Sequence, residues 1–406
     1  RKFFRRQQAV AEQLLAGGFD SLERKYESPD DDETTFRNLI ERDYFHLENN
    51  YFRTIFAASL AKLDFMSSFP DADYGALVAA LPPLRHMAPV RDVQEMSDRS
   101  DERLAGVVST YRHHCRLGLD VLFPRWDEDR AFVESMLASL PASGGDDPRP
   151  AYEAARTAAL SQLSWRKRRA FSRKLDRLRR FVWLREEMRD LSSRMYYLIR
   201  RYVLEIAERR GVGDDIFFMT FREIFADDRS NIERNREIYD SYRHFKAPNE
   251  IGSRYQLGRC FRPTEEVAGQ DSGDTGVSPV PTALHWRHAS GTPKPGGDKI
   301  LKGIAASPGS IAGTAHVARN VEQAAEMQMG QILVCPFTDP GWTPVLDRAA
   351  GVVTETGGLL SHAAIICREY GIPAVLGVEN ATNRIRHGST LVIQGGEGRV
   401  ELTSIK

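Results

Sequence analysis

From Trp165 to Arg210 apolar residues return at three- and four-residue steps through a segment otherwise crowded with arginine, lysine and glutamate. Phe171, Leu175, Leu178, Val182, Leu191, Met195, Leu198, Tyr202 and Ile206 fall on one broad stripe. That spacing predicts one long amphipathic helix. Gly211 and Gly213 follow it directly, as residues able to take the left-handed conformation that closes a helix. The same periodicity runs through most of residues 1–262. It is broken at Pro82-Pro83 and in the glycine- and aspartate-rich stretch from Pro141 to Pro150. The N-terminal 1–262 therefore reads as a mostly α-helical domain.

Residues 263–299 change character. Glycine, proline, serine, threonine and aspartate dominate and periodicity is lost, which is the composition of a flexible linker. His285, Trp286 and His288 lie in it; a metal site is the weaker reading of the two histidines, and incidental linker residues the stronger. From Ile300 the pattern changes again, to short β-prone runs punctuated by glycine. Candidate strands are Thr314–Ala318, Gln331–Pro336, Gly351–Thr354, Ala374–Leu376, Thr390–Ile393 and Arg399–Leu402. Candidate helices are Val321–Ala325, Trp342–Arg348 and Ser361–Tyr370. Residues 300–406 thus read as a compact α/β domain, and no internal repeat is present.

The segment Thr354-Glu-Thr-Gly-Gly-Leu-Leu-Ser-His-Ala-Ala-Ile-Ile-Cys-Arg-Glu-Tyr-Gly-Ile-Pro-Ala-Val-Leu-Gly377 carries the chemistry. A strand ends at Thr354, Gly357 and Gly358 loosen the backbone, and a helix begins near Ser361. His362 then falls in the first helical turn, where free amide N–H groups and the positive end of the helix dipole favour a phosphate. Neutral imidazole is a good nucleophile toward phosphorus, and a histidine is available unprotonated near neutral pH. Thr356, Ser361 and the amides at Gly357 and Gly358 are candidate partners for phosphate oxygens, with Arg368 further along the helix.

From Gly357 to Gly377 this segment resembles, almost without a break, the phosphohistidine swivelling domain of the phosphoenolpyruvate-utilising enzymes. Gly303-Ile-Ala-Ala-Ser-Pro-Gly-Ser-Ile-Ala-Gly313 resembles that domain's opening strand and glycine turn. The resemblance implies a multidomain chain with a C-terminal α/β swivelling domain, and it implies that His362 is the phosphorylated residue. Cys367 stands where the family usually carries alanine, as a small buried residue.

In layout the chain is similar to the rifampin phosphotransferase group rather than to phosphoenolpyruvate synthase. The sequence stops at Lys406, which leaves no room for a pyruvate-binding barrel. Tyr111-Arg-His-His-Cys-Arg-Leu-Gly-Leu-Asp-Val-Leu-Phe-Pro-Arg-Trp-Asp-Glu-Asp129 and the segment from Phe181 to Arg210, with Asp214–Glu223 after it, resemble that group's helical acceptor-binding blocks. His114 and Gly118 depart from it, where relatives carry an arginine and an acidic residue. The acceptor pocket is therefore expected to be remodelled.

Arg112, His113 and Arg125 are candidate acceptor-site residues, the arginines to neutralise a phosphoryl group and His113 as general base. A plain helix surface is the competing reading for Tyr111–Arg116, and a structural anchor for Arg125-Trp126. Arg185 and Arg189 could line the same cleft, although a solvated helix face accounts for most of the charge around them.

No nucleotide-binding loop or ATP-grasp pattern is found. The resemblance implies that ATP and Mg²⁺ are bound by a separate ATP-grasp domain or subunit. In that scheme ATP becomes AMP and phosphate while the histidine keeps a phosphoryl group for a small-molecule acceptor. A phosphocarrier module that binds a protein partner is the second reading, and a phosphoenolpyruvate synthase fragment the third.

Basic and acidic residues balance at 56 each, which argues against a nucleic-acid partner. No apolar run reaches membrane-spanning length and no signal peptide is evident. Four cysteines without CxxC spacing point to a reducing cytoplasm and to no metal site.

Overall fold

The computed structural model describes residues 2–17, 19–26, 33–142, 147–241, 245–246, 262–263 and 299–403. The expected linker at 263–299, with His285, Trp286 and His288, lies outside the described residues apart from its two ends, and so does Cys260. By contacts the chain divides into two compact units. One joins Arg1–Glu205 with Ile300–Lys406, and the other is Ile206–Lys299.

The long helix spans Trp165–Arg210. Gly211 and Gly213 follow it with φ of +60° and +61°, the left-handed values anticipated for them. Eight of the nine stripe residues, Phe171 to Tyr202, are at most 2% exposed. The helix does more than lay one face on a core, because between Phe181 and Val203 its polar residues Arg185, Glu186, Glu187, Asp190, Ser192, Ser193 and Arg200 are buried as well. Helices Phe45–Ser68, Ala88–Gln94 and Asp101–Thr110 belong to the same helical half. A buried charge needs a partner, and these find them: Arg200 meets Glu128 at 2.7 Å, and Glu187 meets Arg85 at 2.9 Å.

In the second unit a capping box closes the start of helix Phe221–Ala226. Thr220 accepts from the Glu223 amide, and Glu223 accepts from the Thr220 amide.

The α/β domain is one eight-stranded sheet. In chain order its strands are β1 (Ile300–Lys302), β2 (Ile304–Ser307), β3 (Ser310–Val317), β4 (Ile332–Cys335), β5 (Gly351–Thr354), β6 (Ala374–Leu376), β7 (Thr390–Gln394) and β8 (Arg399–Thr403). Their spatial order is β1-β8-β7-β3-β4-β5-β6-β2. Strands β3 to β6 are parallel, and the flanking pairs are antiparallel. Strands β4, β5 and β6 are buried at every residue, as a parallel sheet covered on both faces requires.

Helix Val321–Ala325 matches its expectation, and the histidine helix runs His362–Glu369. The expected helix Trp342–Arg348 is a 3₁₀ turn, Pro340–Trp342, that leads into a short helix, Thr343–Leu346. Cys115, Cys335 and Cys367 are buried free thiols.

Within the first unit the α/β domain packs on the helical half through shared apolar clusters. Val90, Leu104, Trp126 and Leu137 join Leu333, Trp342, Leu346 and Ile366. Ile365 joins Phe65, Phe171, Leu175 and Val182. Gly341 comes so close to the backbone of Cys115 that a Cβ there would lie 2.2 Å from the Cys115 carbonyl oxygen. Polar pairs also cross this boundary. The Leu81 amide donates to Glu369 at 3.1 Å, Gln94 donates to Asp347 at 2.6 Å, and the Gly118 amide donates to Asp339 at 3.1 Å.

Candidate phosphoryl-transfer site

His362 follows β5, and the loop that carries Thr338 follows β4. Both lie beyond the C-terminal ends of adjacent parallel strands, where open α/β sheets gather their reactive groups. Ser361 caps the helix and accepts from the Ala364 amide at 3.5 Å. Gly357 has φ of +130°, and a Cβ there would come within 3.0 Å of the Ser361 hydroxyl oxygen. Only glycine lets the chain turn so tightly before the cap.

His362 is 3% exposed. Its Nδ1 lies 3.0 Å from the Thr338 hydroxyl and its Nε2 3.5 Å from that of Thr343. The Thr343 hydroxyl donates to the Pro340 carbonyl at 2.8 Å, so its proton is spent and it offers Nε2 none. Two tautomers fit: Nε2–H donates to Thr343 while Thr338 donates to Nδ1, or the ring proton sits on Nδ1 and is donated to Thr338. The second leaves Nε2 with its lone pair and no donor against it, the form a nucleophile requires. Burial, and then the neighbouring His86, Arg189, Arg185 and His114, hold the His362 pKa well below the usual histidine value. The ring is neutral at physiological pH, as a nucleophile must be. The groups that oppose its protonation are cationic or able to become so, a setting that favours a phosphoryl dianion on the same ring.

The sequence-predicted residues divide. Ser361 and Gly357 shape the turn at His362. Thr356 lies in the same loop, but its hydroxyl donates to the Pro336 carbonyl at 3.1 Å. Gly358 accepts from the Ser361 amide through its carbonyl. Arg368 is corrected: six residues past His362 it points from another side of the helix. It donates to the Leu359 carbonyl at 2.8 Å and lies over the Tyr74 ring at 5.4 Å, so it anchors the domain to the helical half rather than supporting phosphate.

Arg185 and Arg189 are brought to the histidine; the first pairs with Glu186 and the second with Asp339 of the α/β domain. Arg112 and Arg125 are corrected. Arg112 is held by Glu23 over the Tyr197 ring. Arg125 is fully buried and donates to Cys115 Sγ at 2.7 Å, the Gly118 carbonyl at 3.3 Å and the Asp120 carbonyl at 2.9 Å. It fastens the turn between residues 115 and 125, the anchor role weighed for Arg125-Trp126. His113 is buried and donates from Nε2 to Asp190 at 3.1 Å, which leaves that nitrogen unavailable as a base.

Three residues absent from the sequence reading stand closest to the chemistry. Thr338 and Thr343 flank the ring. A polar turn after a predicted strand, Thr338-Asp-Pro-Gly341, was the available signal. His86 carried none. Its ring centroid lies 5.4 Å from that of His362, it is 1% exposed, and among the described residues neither of its nitrogens has a hydrogen-bond partner. Glu186 Oε2, 4.0 Å from His86 Nε2, is also without one.

Two family descriptions match parts of this chain. Residues 327–398 match the family described as PEP-utilising enzyme, mobile domain. Over those residues the C-terminal domain resembles a PEP-utilising enzyme mobile domain. Residues 76–186 match the rifampicin phosphotransferase fourth domain, so the helical face opposite the mobile domain has its own counterpart.

Among relatives, a rifampicin phosphotransferase from Streptomyces sviceus is 32% identical over 57% of this chain and 24% of its own length. One from Bacillus subtilis is 28% identical over 73% of this chain and 34% of its own length. A phosphoenolpyruvate synthase from Aeropyrum pernix is 42% identical over 28% of this chain and 14% of its own. The chain thus spans only about a quarter to a third of the length of the rifampicin phosphotransferases it matches. No helix among the described residues is long and apolar enough to cross a membrane.

Proposed function

We propose that this chain is the acceptor-side and phosphohistidine part of a phosphotransferase, in which His362 carries a phosphoryl group to a small-molecule acceptor. The observation that carries the reading is the His362 ring itself. It is buried and neutral, with Nδ1 beside Thr338 and no donor against Nε2, and it faces His86, Arg185 and Arg189 of the helical half. Transfer onto His362 forms a P–N bond at Nε2 as the donor's bond to phosphorus breaks. Transfer away breaks that bond as the acceptor oxygen attacks and loses its proton.

Of the groups present, His86 is best placed to take that proton, with Glu186 behind it to hold the imidazolium. Arg185 and Arg189 offset the charge of the phosphoryl oxygens. Among the threonines, Thr338 fixes the tautomer and Thr343 borders the reacting nitrogen.

The donor in this proposal is ATP, cleaved to AMP and phosphate on an ATP-grasp domain or subunit that also holds Mg²⁺. The residues around His362 do not suit a magnesium nucleotide. Asp339 is taken by Arg189, Asp190 by His113 and Arg194, and one Glu186 oxygen by Arg185. Charging therefore belongs elsewhere, and a ring only 3% exposed must leave the helical half to be charged. Residues 300–406 moving as a swivelling domain would meet that need. The buried free thiols suit a cytoplasmic setting.

The engagement of Arg112 and His113 by acidic partners favours a second reading, a phosphocarrier module without a small acceptor. The full chain, treated with phosphoramidate as a chemical phosphoryl donor, should show one N-phosphohistidine signal by phosphorus NMR, absent in His362→Ala. Equal labelling of His362→Ala would overturn the assignment. Discharge by candidate small alcohols but not by water alone separates transferase from carrier.

A further inference from the structure

Behind His86, two imidazoles and a carboxylate converge that the transfer scheme does not use. His113 and His114 are sequence neighbours in the turn after helix Asp101–Thr110, and Asp190 comes from the middle of the long helix. His113 Nε2 lies 3.1 Å and His114 Nε2 3.9 Å from the same oxygen, Asp190 Oδ1. One ligand atom from each of the three residues falls within a 4.8 Å cluster. All three residues are at most 3% exposed.

We propose that His113, His114 and Asp190 form a binding site for a divalent cation of the zinc class. Tetrahedral zinc with bonds of about 2.0–2.1 Å holds its ligand atoms roughly 3.3–3.5 Å apart, and the two separations to Asp190 bracket that value. The second observation is an unmet demand. Among the described residues His114 Nε2 is buried with no hydrogen-bond partner, a state that ordinarily costs stability, and its neighbour across the gap is the Asp190 oxygen.

A cation between them gives that nitrogen a bond and keeps the carboxylate ionised. At His113 the cation takes the Nε2 lone pair, and the proton now shared with Asp190 moves to Nδ1. Two imidazole nitrogens and one carboxylate oxygen favour zinc, cobalt or nickel over magnesium or calcium, which prefer oxygen throughout. Three protein ligands also leave a fourth position open.

The surroundings hold the ligands in place. Arg194 Nε donates to the other Asp190 oxygen at 3.0 Å, and the Trp126 ring lies 4.8 Å from that of His114. Such outer contacts orient ligands in metal centres. His114 is also close enough to His362 to act on its charge. A cation there would stabilise a phosphoryl dianion on His362; that role, unlike the site itself, rests on the transfer reading.

The test is metal content. The full chain is stripped with a chelator, loaded with zinc, desalted and assayed by mass spectrometry. One equivalent is expected, lost in His114→Ala and in Asp190→Asn and retained in His387→Ala, which alters the exposed imidazole paired with His316. No stoichiometric zinc, binding unchanged in both site variants, or loss in His387→Ala would overturn the proposal. Should the site variants fail to fold, the cobalt-loaded wild-type chain decides. Intense visible absorption of tetrahedral cobalt supports the site, and the weak spectrum of hydrated cobalt rejects it.

Discussion

At the scale of single residues, the proposed transfer makes the reactive nitrogen depend on a threonine rather than on the histidine's own sequence neighbours. Thr338 lies 3.0 Å from Nδ1, and as the acceptor of the Nδ1 proton it leaves the lone pair on Nε2. Thr338→Val removes that partner while keeping the volume. We expect phosphorylation of His362 by phosphoramidate to slow roughly fivefold, the kinetic equivalent of a hydrogen bond worth about 1 kcal/mol, with an unchanged circular dichroism spectrum. A rate equal to wild type would show that the tautomer is fixed by other means. His362 itself was legible because a glycine pair, a capping serine and a histidine in one short stretch have few other uses. Thr338, Thr343 and His86 were not, because each reaches the ring from a different segment.

At the scale of elements, the parallel strands and the histidine helix followed from burial runs and glycine punctuation. β1 and β2 were too short and too exposed to be read by pattern alone; Ile300 and Ile304 are solvent-facing. The short 3₁₀ turn at Pro340–Trp342 has a consequence of its own. Its glycine fits against the Cys115 carbonyl with no room for a Cβ, and a backbone atom cannot swing aside. Gly341→Ala should therefore loosen the packing of the mobile domain on the helical half without unfolding either. Modification of His362 by diethyl pyrocarbonate should accelerate at least severalfold. An unchanged modification rate would place the fastening elsewhere, in the apolar contacts of Trp126 and Trp342.

At the scale of the whole molecule, acidic groups at the boundary between the two halves couple docking to pH. Burial pushes Glu369 up to about 7, against Arg179 and Arg368 and the Leu81 amide, which pull it down. Asp347 is raised to about 6, with Gln94 and Arg99 acting in the opposite sense. A carboxyl whose folded pKa lies above its free value of about 4 favours the folded state while protonated. That contribution is complete below about pH 4 and is lost as pH rises through 6 to 7.

The buried histidines His86, His113, His114 and His362 have lowered values. They work the other way, costing stability as pH falls below about 6.5. The difference between variants isolates the carboxyl. Glu369→Gln should gain thermal stability relative to wild type between pH 5 and pH 8, and a pH-independent difference would show that Glu369 titrates normally.

By itself the sequence determined the helical half and the α/β domain, and it singled out His362 as the candidate phosphoryl carrier. Helix periodicity, strand burial and a capped helix start are written within a few residues of one another. What faces His362 was decided only by the tertiary structure. In sequence Arg112 and Arg125 looked better acceptor groups than Arg189, since a charged side chain shows its type but not its partner. Glu23 and the carbonyls of the 115–125 turn claimed the first two, while Asp339 of the mobile domain drew Arg189 to the site. His86, His114 and Asp190 came together because the long helix, buried nearly all round between Phe181 and Val203, draws segments far apart in sequence against it. No local pattern encodes such a meeting, which depends on how the halves pack.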